Sequence, residues 1–495
     1  MALAFPCHPE HPLAFLFNSN WAFVSLVPLL LQTQGDNFRT RFNRGWLAGA
    51  LFNLLTLYWV AHTQGGGPAV VGGTLLLAAY LGLFVGLFAA VLGFLVTHWG
   101  RCALVATPFL WTGTEYLLSL GELGFPWLLL GHSQSVSPTL IQYAALTGVY
   151  GVSFWVVSVN LLVAAALASE RRRIAALALA AALALPYAYG RRVMDAAPGY
   201  DSTVRVAVVQ PNMGRQEKWG AGGLERSFAT LETLSREAAA QDPDLVVWPE
   251  TALPCYLALR PECSQRLRAL VEEIDAPVLT GASDYDTERG EPYNAAFYLV
   301  PGQTEVQTYA KMHLVPFGER TPYRDSIPLL RDIDWTVLTG DLGPAEFARG
   351  QSSTLFANPV APFGVLICFE SVFPDLVRRS VAAGARLLVN ITNDSWFGPT
   401  AGPYQHAQLA VLRAVENRVP IARSATTGVS MFVDPFGRTH SATEIFTRTF
   451  AWRDLPVGGE LTFYTRHGDV FAQAATLLAL TAALAAAADS RIRKR

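Results

Sequence analysis

The sequence predicts a polytopic α-helical membrane region joined to a layered α/β domain, and three observations predict it. Hydrophobic residues make up 51% of the 495 positions and charged residues only 15%, against about 25% charged in ordinary soluble domains. The apolar excess lies in two blocks, before residue 191 and after residue 465, in runs long enough to cross a bilayer. Between them, short β-branched runs alternate with amphipathic helical patterns, which is how a layered α/β domain reads.

A membrane helix needs about 20 apolar residues. Candidate spans lie near 13–32, 46–62, 69–97, 103–120, 140–168 and 174–190, with another near 469–488. The segment after the first carries Arg39, Arg41 and Arg44, that after the third Arg101, and that after the fifth Arg171, Arg172 and Arg173. The alternate loops, 62–68 and 121–138, hold no Lys or Arg, and the chain ends on Arg491-Ile-Arg-Lys-Arg495. Basic short loops stay in the cytoplasm, so the intervening block is expected on the other side, with Arg191 and Arg192 the one dissent. The expected organisation is a membrane domain of about six helices over 1–194, a periplasmic domain over 195–465, and a last helix with a basic cytoplasmic tail over 466–495. No basic n-region or small-residue cleavage site marks a separable signal peptide, so the spans themselves should direct insertion.

Gly124-Phe-Pro-Trp-Leu-Leu-Leu-Gly131 is apolar, but its Gly and Pro suit a re-entrant segment or a buried loop, and the reading stays open between them. In the soluble block the expected strands are 204–209, 245–248, 278–281, 295–300, 364–368, 387–392 and 431–433. Helices are expected near 224–240, 262–274, 374–384 and 404–418.

Three of these segments deliver a reactive side chain at their ends. Leu245-Val-Val-Trp-Pro-Glu250 runs an apolar strand into a carboxylate, where partial burial favours a general base. Lys311 sits in an apolar stretch, where a held ammonium stabilises an oxyanion better than it does in water. Gly364-Val-Leu-Ile-Cys368 ends a strand on a thiol, with Pro374 opening the next helix, a geometry that exposes a nucleophile beside backbone amides. Read singly, each has a bland alternative: a surface glutamate, a solvated lysine, an inert buried cysteine. The net charge of -2 argues against nucleic acid, the five cysteines show no C-x-x-C spacing, and His313 has no partner cluster for a metal.

Taken together, Glu250, Lys311 and Cys368, in that order, resemble the nitrilase superfamily. The likeness extends to Trp-Pro-Glu-Thr-Ala at 248–252, Lys-x-His-Leu-Val-Pro-Phe-Gly-Glu at 311–319, Cys-Phe-Glu at 368–370 and Thr-Asn-Asp-Ser-Trp-Phe-Gly at 392–398. With spans on both sides, it narrows to the apolipoprotein N-acyltransferases, the membrane-embedded branch of that superfamily. The resemblance implies an α-β-β-α sandwich facing the periplasm of a bacterial inner membrane. It also implies a further N-terminal span, of which Ala2-Leu-Ala-Phe-Pro6 matches only the end.

By motif position, the resemblance makes Cys368 the nucleophile, Glu250 the general base and Lys311 the oxyanion-stabilising cation. Glu319 supports the lysine, Glu370 is the acidic residue following the nucleophile, and Trp219 matches an aromatic near the acyl cleft or is a core tryptophan. The family often has tyrosine where this chain has Phe369, which leaves a backbone amide without the hydroxyl. The implied reaction moves an acyl chain from a membrane phospholipid, through a cysteine thioester, to the α-amine of a diacylglyceryl-apolipoprotein. No cofactor or metal is implied, and a monomer is expected. Rival readings are a membrane-tethered amidase using the same residues, and a non-enzymatic transporter or scaffold, which would expect a catalytic position to be lost. The Pro- and Gly-spaced segment 321–343 is a candidate lid, and Cys255 and Cys263 form a disulfide or remain two thiols.

Overall fold

The computed structural model describes residues 1–32, 37–168, 172–196, 200, 202–331, 333, 335 and 346–492. The chain forms two compact units, one of 1–61, 71–197 and 467–495, the other of 62–70 and 198–466. The basic C-terminal tail beyond 492, Arg171 and much of the expected lid lie outside the described residues.

The first unit is helical. Among the described residues four helical stretches, Gly67–Leu118, Ala144–Ala168, Arg172–Asp195 and Val470–Ser490, are long and apolar enough to cross a membrane. The helix Phe38–Thr56 takes in Arg39, Arg41 and Arg44, which the sequence placed in a loop. Arg41 is buried there and donates to Thr97 Oγ1 at 3.0 Å. The apolar run 13–32 is not one helix but turns at Ala14–Leu16 and Ser19–Phe23 followed by a short helix, Val27–Leu31. Pro28 lacks the N–H that a longer helix would need at this point. Asn160 takes over instead, accepting from the amide of Leu26 at 2.8 Å and donating to the carbonyl of Ala22 at 2.7 Å. Residues 124–131 form a buried loop with turns at Pro126–Leu128 and Leu130–Gln134. Glu115 accepts from the Leu130 amide at 2.6 Å and Ser153 from the Gly131 amide at 2.8 Å, satisfying backbone that apolar surroundings leave bare.

The second unit is an α-β-β-α sandwich. One sheet is seven-stranded, with β1 (Ser202–Gln210), β2 (Leu245–Val247), β3 (Leu253–Tyr256), β4 (Val278–Asp286), β5 (Glu291–Leu299), β6 (Gln307–Ala310) and β13 (Thr449–Val457) in the order 13-1-2-4-5-6, β3 pairing with β4. The other is six-stranded, with β7 (Leu355–Phe356), β8 (Phe363–Ile367), β9 (Leu387–Thr392), β10 (Ile421–Ala425), β11 (Met431–Val433) and β12 (Thr439–His440) in the order 12-11-10-9-8-7. Alternation along each strand builds the layers. Val204, Val206 and Val208 of β1 face Val365, Ile367, Val389 and Ile391 of the second sheet in one buried core. Val209, Val246 and Trp248 turn the other way, against Phe228 and Leu231 of the helix Gly223–Ala239 and Leu267 and Leu270 of the helix Pro261–Ile274. The helices Pro374–Ala382 and Gly402–Asn417 belong to the second sheet's outer layer and bury Val377, Val381, Leu409 and Leu412.

Within each sheet the central strands run parallel: β1, β2 and β4 in the first, β8, β9 and β10 in the second. Their carboxyl ends are where an α/β sheet places its ligand-facing residues.

Candidate active site

The chain beyond β2 turns through Pro249 to Glu250, which is 5% exposed. The turn packs hard against β4, because a Cβ on Gly281 would lie 2.7 Å from both the Glu250 Cα and the Thr251 amide nitrogen. Only a residue without a side chain lets the two backbones approach this closely. Thr251 itself takes a left-handed conformation, with φ 46. Glu250 Oε1 accepts from Asn294 Nδ2 at 2.7 Å, and Oε2 accepts from the Asn393 amide at 2.8 Å. Asn294 comes from β5 and Asn393 follows β9, so both sheets hold this carboxylate.

Lys311 follows β6 directly and is 1% exposed. Its Nζ lies 2.9 Å from Glu319 Oε1 and 3.4 Å from Glu250 Oε1. Glu319 also accepts from Asn294 Nδ2 at 3.0 Å and from the Val315 amide at 2.8 Å. Burial by itself lowers a lysine pKa; here the carboxylates of Glu319 and Glu250 outweigh it, and Lys311 is held above its ordinary value as a fixed cation.

Cys368 stands one residue beyond β8, at the start of the 3-10 turn Cys368–Val372, and has φ 52. The sequence expected the strand to include it and to leave the sulfur exposed; instead the residue is partly buried. Left-handed backbone costs a non-glycine residue on the order of 1 kcal/mol, so the surroundings must hold it. Glu370 does much of this. Fully buried, it accepts at Oε1 from Tyr309 Oη at 2.7 Å, the Met312 amide at 2.7 Å and the His313 amide at 3.1 Å. Its Oε2 accepts from the Ile367 amide at 2.8 Å, so one carboxyl group ties the Cys368 turn to the Lys311 loop. Burial keeps that carboxyl above its usual pKa despite these donors.

The Cys368 thiol is also pushed up, first by burial and then by the charge of Glu250, with Lys311 pulling the other way. A resting thiol beside an acceptor carboxylate and a fixed ammonium is the state from which proton transfer to Glu250 can accompany attack. His313 stacks on Phe373 with ring centroids 3.6 Å apart, and burial lowers its imidazole to about 3, so it is a neutral packing ring.

The structure therefore brings Glu250, Lys311, Glu319, Cys368 and Glu370 into one cluster, with Phe369 buried directly after the cysteine. Trp219 is not a core residue; it is 54% exposed, on the short helix Arg215–Trp219. Its neighbour Lys218 is buried and donates to the Thr251 carbonyl at 2.9 Å. Cys255 and Cys263 are free thiols buried in one apolar cluster. Sequence reasoning missed Asn294, Tyr309, Lys218 and the structural use of Asn393; the first lies in a strand without a motif, and the others were in or beside segments already singled out. Among the described residues no His, Cys, Asp and Glu group has a metal-holding arrangement.

Known proteins match this sequence over nearly the whole chain. The family model described as carbon-nitrogen hydrolase matches residues 205–457, and that of the apolipoprotein N-acyltransferase N-terminal domain matches residues 2–162. An apolipoprotein N-acyltransferase of Geobacter metallireducens is 35% identical, covering 98% of this chain and 93% of the relative. Those of Chlorobaculum tepidum and Gloeobacter violaceus are 34% and 33% identical, covering 99% and 94% of this chain and 95% and 89% of the relatives.

Proposed function

The chain belongs to the apolipoprotein N-acyltransferase family, and we propose that Cys368, Glu250 and Lys311 carry its reaction as nucleophile, general base and oxyanion-stabilising cation. It is an N-acyltransferase with a nitrilase-like domain and helices suited to a membrane. The observation that carries the residue assignment is the position of Lys311, buried and paired with two carboxylates at the point where the chain ends of β2, β6 and β8 meet.

In the first half-reaction Glu250 takes the thiol proton as Cys368 sulfur attacks an ester carbonyl of a membrane phospholipid. Lys311 and the Phe369 amide stabilise the oxyanion. Collapse breaks the ester C–O bond, the lyso-phospholipid oxygen takes the proton from Glu250, and a Cys368 thioester remains. In the second, the α-amine of a diacylglyceryl-cysteine on a lipoprotein attacks the thioester. Glu250 accepts an amine proton, the C–S bond breaks, and the proton returns to sulfur. Glu319 and Glu370 hold the cation and the nucleophile turn, and Trp219, exposed beside Lys218, is the proposed contact for an acyl chain.

The same reading places 1–194 and 466–495 in the bacterial inner membrane and the catalytic domain, 195–465, in the periplasm; the basic residues at 101 and 171–173 support it. The test is intact mass spectrometry of the purified protein with phospholipid and no acceptor. A hydroxylamine-labile acyl adduct is expected, absent in Cys368→Ala and Glu250→Gln and discharged by a diacylglyceryl peptide. Hydrolysis of small amides without any adduct from phospholipid would replace acyl transfer with a tethered amidase.

A further inference from the structure

Behind the nucleophile lies a second buried polar cluster that the reaction above does not use. Asp394, His406, Arg423, Asn390 and Thr392 are all fully buried. Asp394 Oδ2 accepts from Arg423 at 2.8 Å, and Oδ1 accepts from Thr392 Oγ1 at 3.0 Å and pairs with His406 Nδ1 at 2.8 Å. Arg423 is further tied to Asn390 and to the Val429 carbonyl. The ion pair of Asp394 and Arg423 is thus already neutralised and hydrogen-bonded without histidine.

What histidine adds is reach. Its far nitrogen, Nε2, lies 3.2 Å from the Cys368 carbonyl oxygen and 3.3 Å from Ser371 Oγ, whose hydroxyl is itself 3.0 Å from the same carbonyl. With Nδ1–H donated to Asp394, a neutral ring accepts the Ser371 hydroxyl, and a protonated ring donates to the Cys368 carbonyl. The protonated ring fastens Cys368 itself, whose left-handed backbone aims the sulfur, whereas the neutral ring holds the turn at Ser371, whose one hydroxyl proton then leaves the Cys368 carbonyl.

We propose that His406, oriented by Asp394, is a positioning residue for acyl transfer: it holds the Cys368–Ser371 turn, and hence the sulfur, at the angle for attack on the acyl carbonyl. The proposal rests on Cys368 being the nucleophile. A displacement of about 1 Å at a reacting atom costs roughly 100-fold in rate, so a residue that fixes this turn acts on kcat without touching substrate.

Two substitutions separate positioning from bulk stability. His406→Gln keeps a polar group at the Nε2 position, within reach of the Cys368 carbonyl and Ser371. His406→Asn keeps one at the Nδ1 position, toward Asp394, and loses that reach. Thioester formation from phospholipid in the full-length protein is expected to slow about 10- to 100-fold in the Asn variant and within about threefold in the Gln variant. KM for phospholipid should stay within about twofold of the parent in both. Ser371→Ala, a milder probe, should slow the same step by about 3- to 10-fold. Equal losses in the Asn and Gln variants, losses that follow the thermal midpoint rather than the side chain's reach, or a change confined to KM would each overturn the proposal. A parent protein that forms no adduct at Cys368 would instead remove the nucleophile assignment on which the proposal stands.

Discussion

The side-chain amide of Asn294 donates to Glu250 at 2.7 Å, and the same nitrogen lies 3.0 Å from Glu319. One neutral group therefore shares the carboxylates with Lys311, holding apart two like charges that the ammonium alone would have to bridge. Asn294→Ala should lower kcat/KM for acyl transfer about 10- to 100-fold, the worth of a hydrogen bond to a charged group. Asn294→Asp, which adds a third carboxyl, should fall further. Initial-rate kinetics on both variants check this, and an Asp variant more active than the Ala variant would contradict it.

Gly281 lets β4 pass against the Glu250 turn, with an added Cβ only 2.7 Å from the backbone at Glu250 and Thr251. Backbone cannot give way as a flexible side chain can. Gly281→Ala is expected to cost about 1–3 kcal/mol of stability and to abolish detectable thioester by moving Glu250. Thermal unfolding and adduct yield, measured on one preparation, test the two effects together.

Glu370→Gln replaces an acceptor-only carboxylate with a group whose NH2 must face at least one of its four donors: Tyr309 Oη and the amides of Met312, His313 and Ile367. A buried donor left without an acceptor costs about 1–3 kcal/mol. The variant should melt earlier and form thioester poorly although Glu250, Lys311 and Cys368 are all present. Wild-type adduct formation in this variant would show that the clamp does not set the geometry.

Burial lowers the Lys218 ammonium to about 8 from 10.5, with Glu250 opposing. Between those values the unfolded chain holds a proton that the folded chain has released, so this group makes stability rise with pH from about 8 to 10.5. The slope is about 1.4 kcal/mol per pH unit. In Lys218→Met that rise should vanish, so that wild type gains on the variant through this window. Denaturant unfolding of both proteins across it is the measurement, and a difference independent of pH would refute the assignment.

Much of the catalytic domain was legible because it is written in local signals. Strands such as Val204–Val209 and Leu387–Thr392 are apolar, β-branched runs, and the helices 224–240 and 262–274 carry a clear 3.6-residue period. The strands that sequence reasoning missed break those signals. β10 reads Ile-Ala-Arg-Ser-Ala, and Arg423 in its middle is tolerable only because Asp394 and Asn390, distant in sequence, meet it there. β13 alternates exposed and covered residues and carries Pro456, which an edge strand accepts and a central one does not.

By itself, the sequence was enough for the fold class and for most of the apolar helices, which depend on hydropathy and periodicity among neighbours in the chain, and for naming Glu250, Lys311 and Cys368 as candidates, which took their motifs together. The tertiary structure alone decided how those groups are held. Asn294 reaches Glu250 across 44 residues, Glu370 reaches Tyr309 across 61, and His406 reaches the Cys368 carbonyl across 38. Hydrogen bonds of about 3 Å between groups on different elements leave no period or composition in the sequence. The broken run at 13–32 has the same cause, since a side chain of the helix Ala144–Ala168 supplies the bonds that a continuous helix would have made for itself.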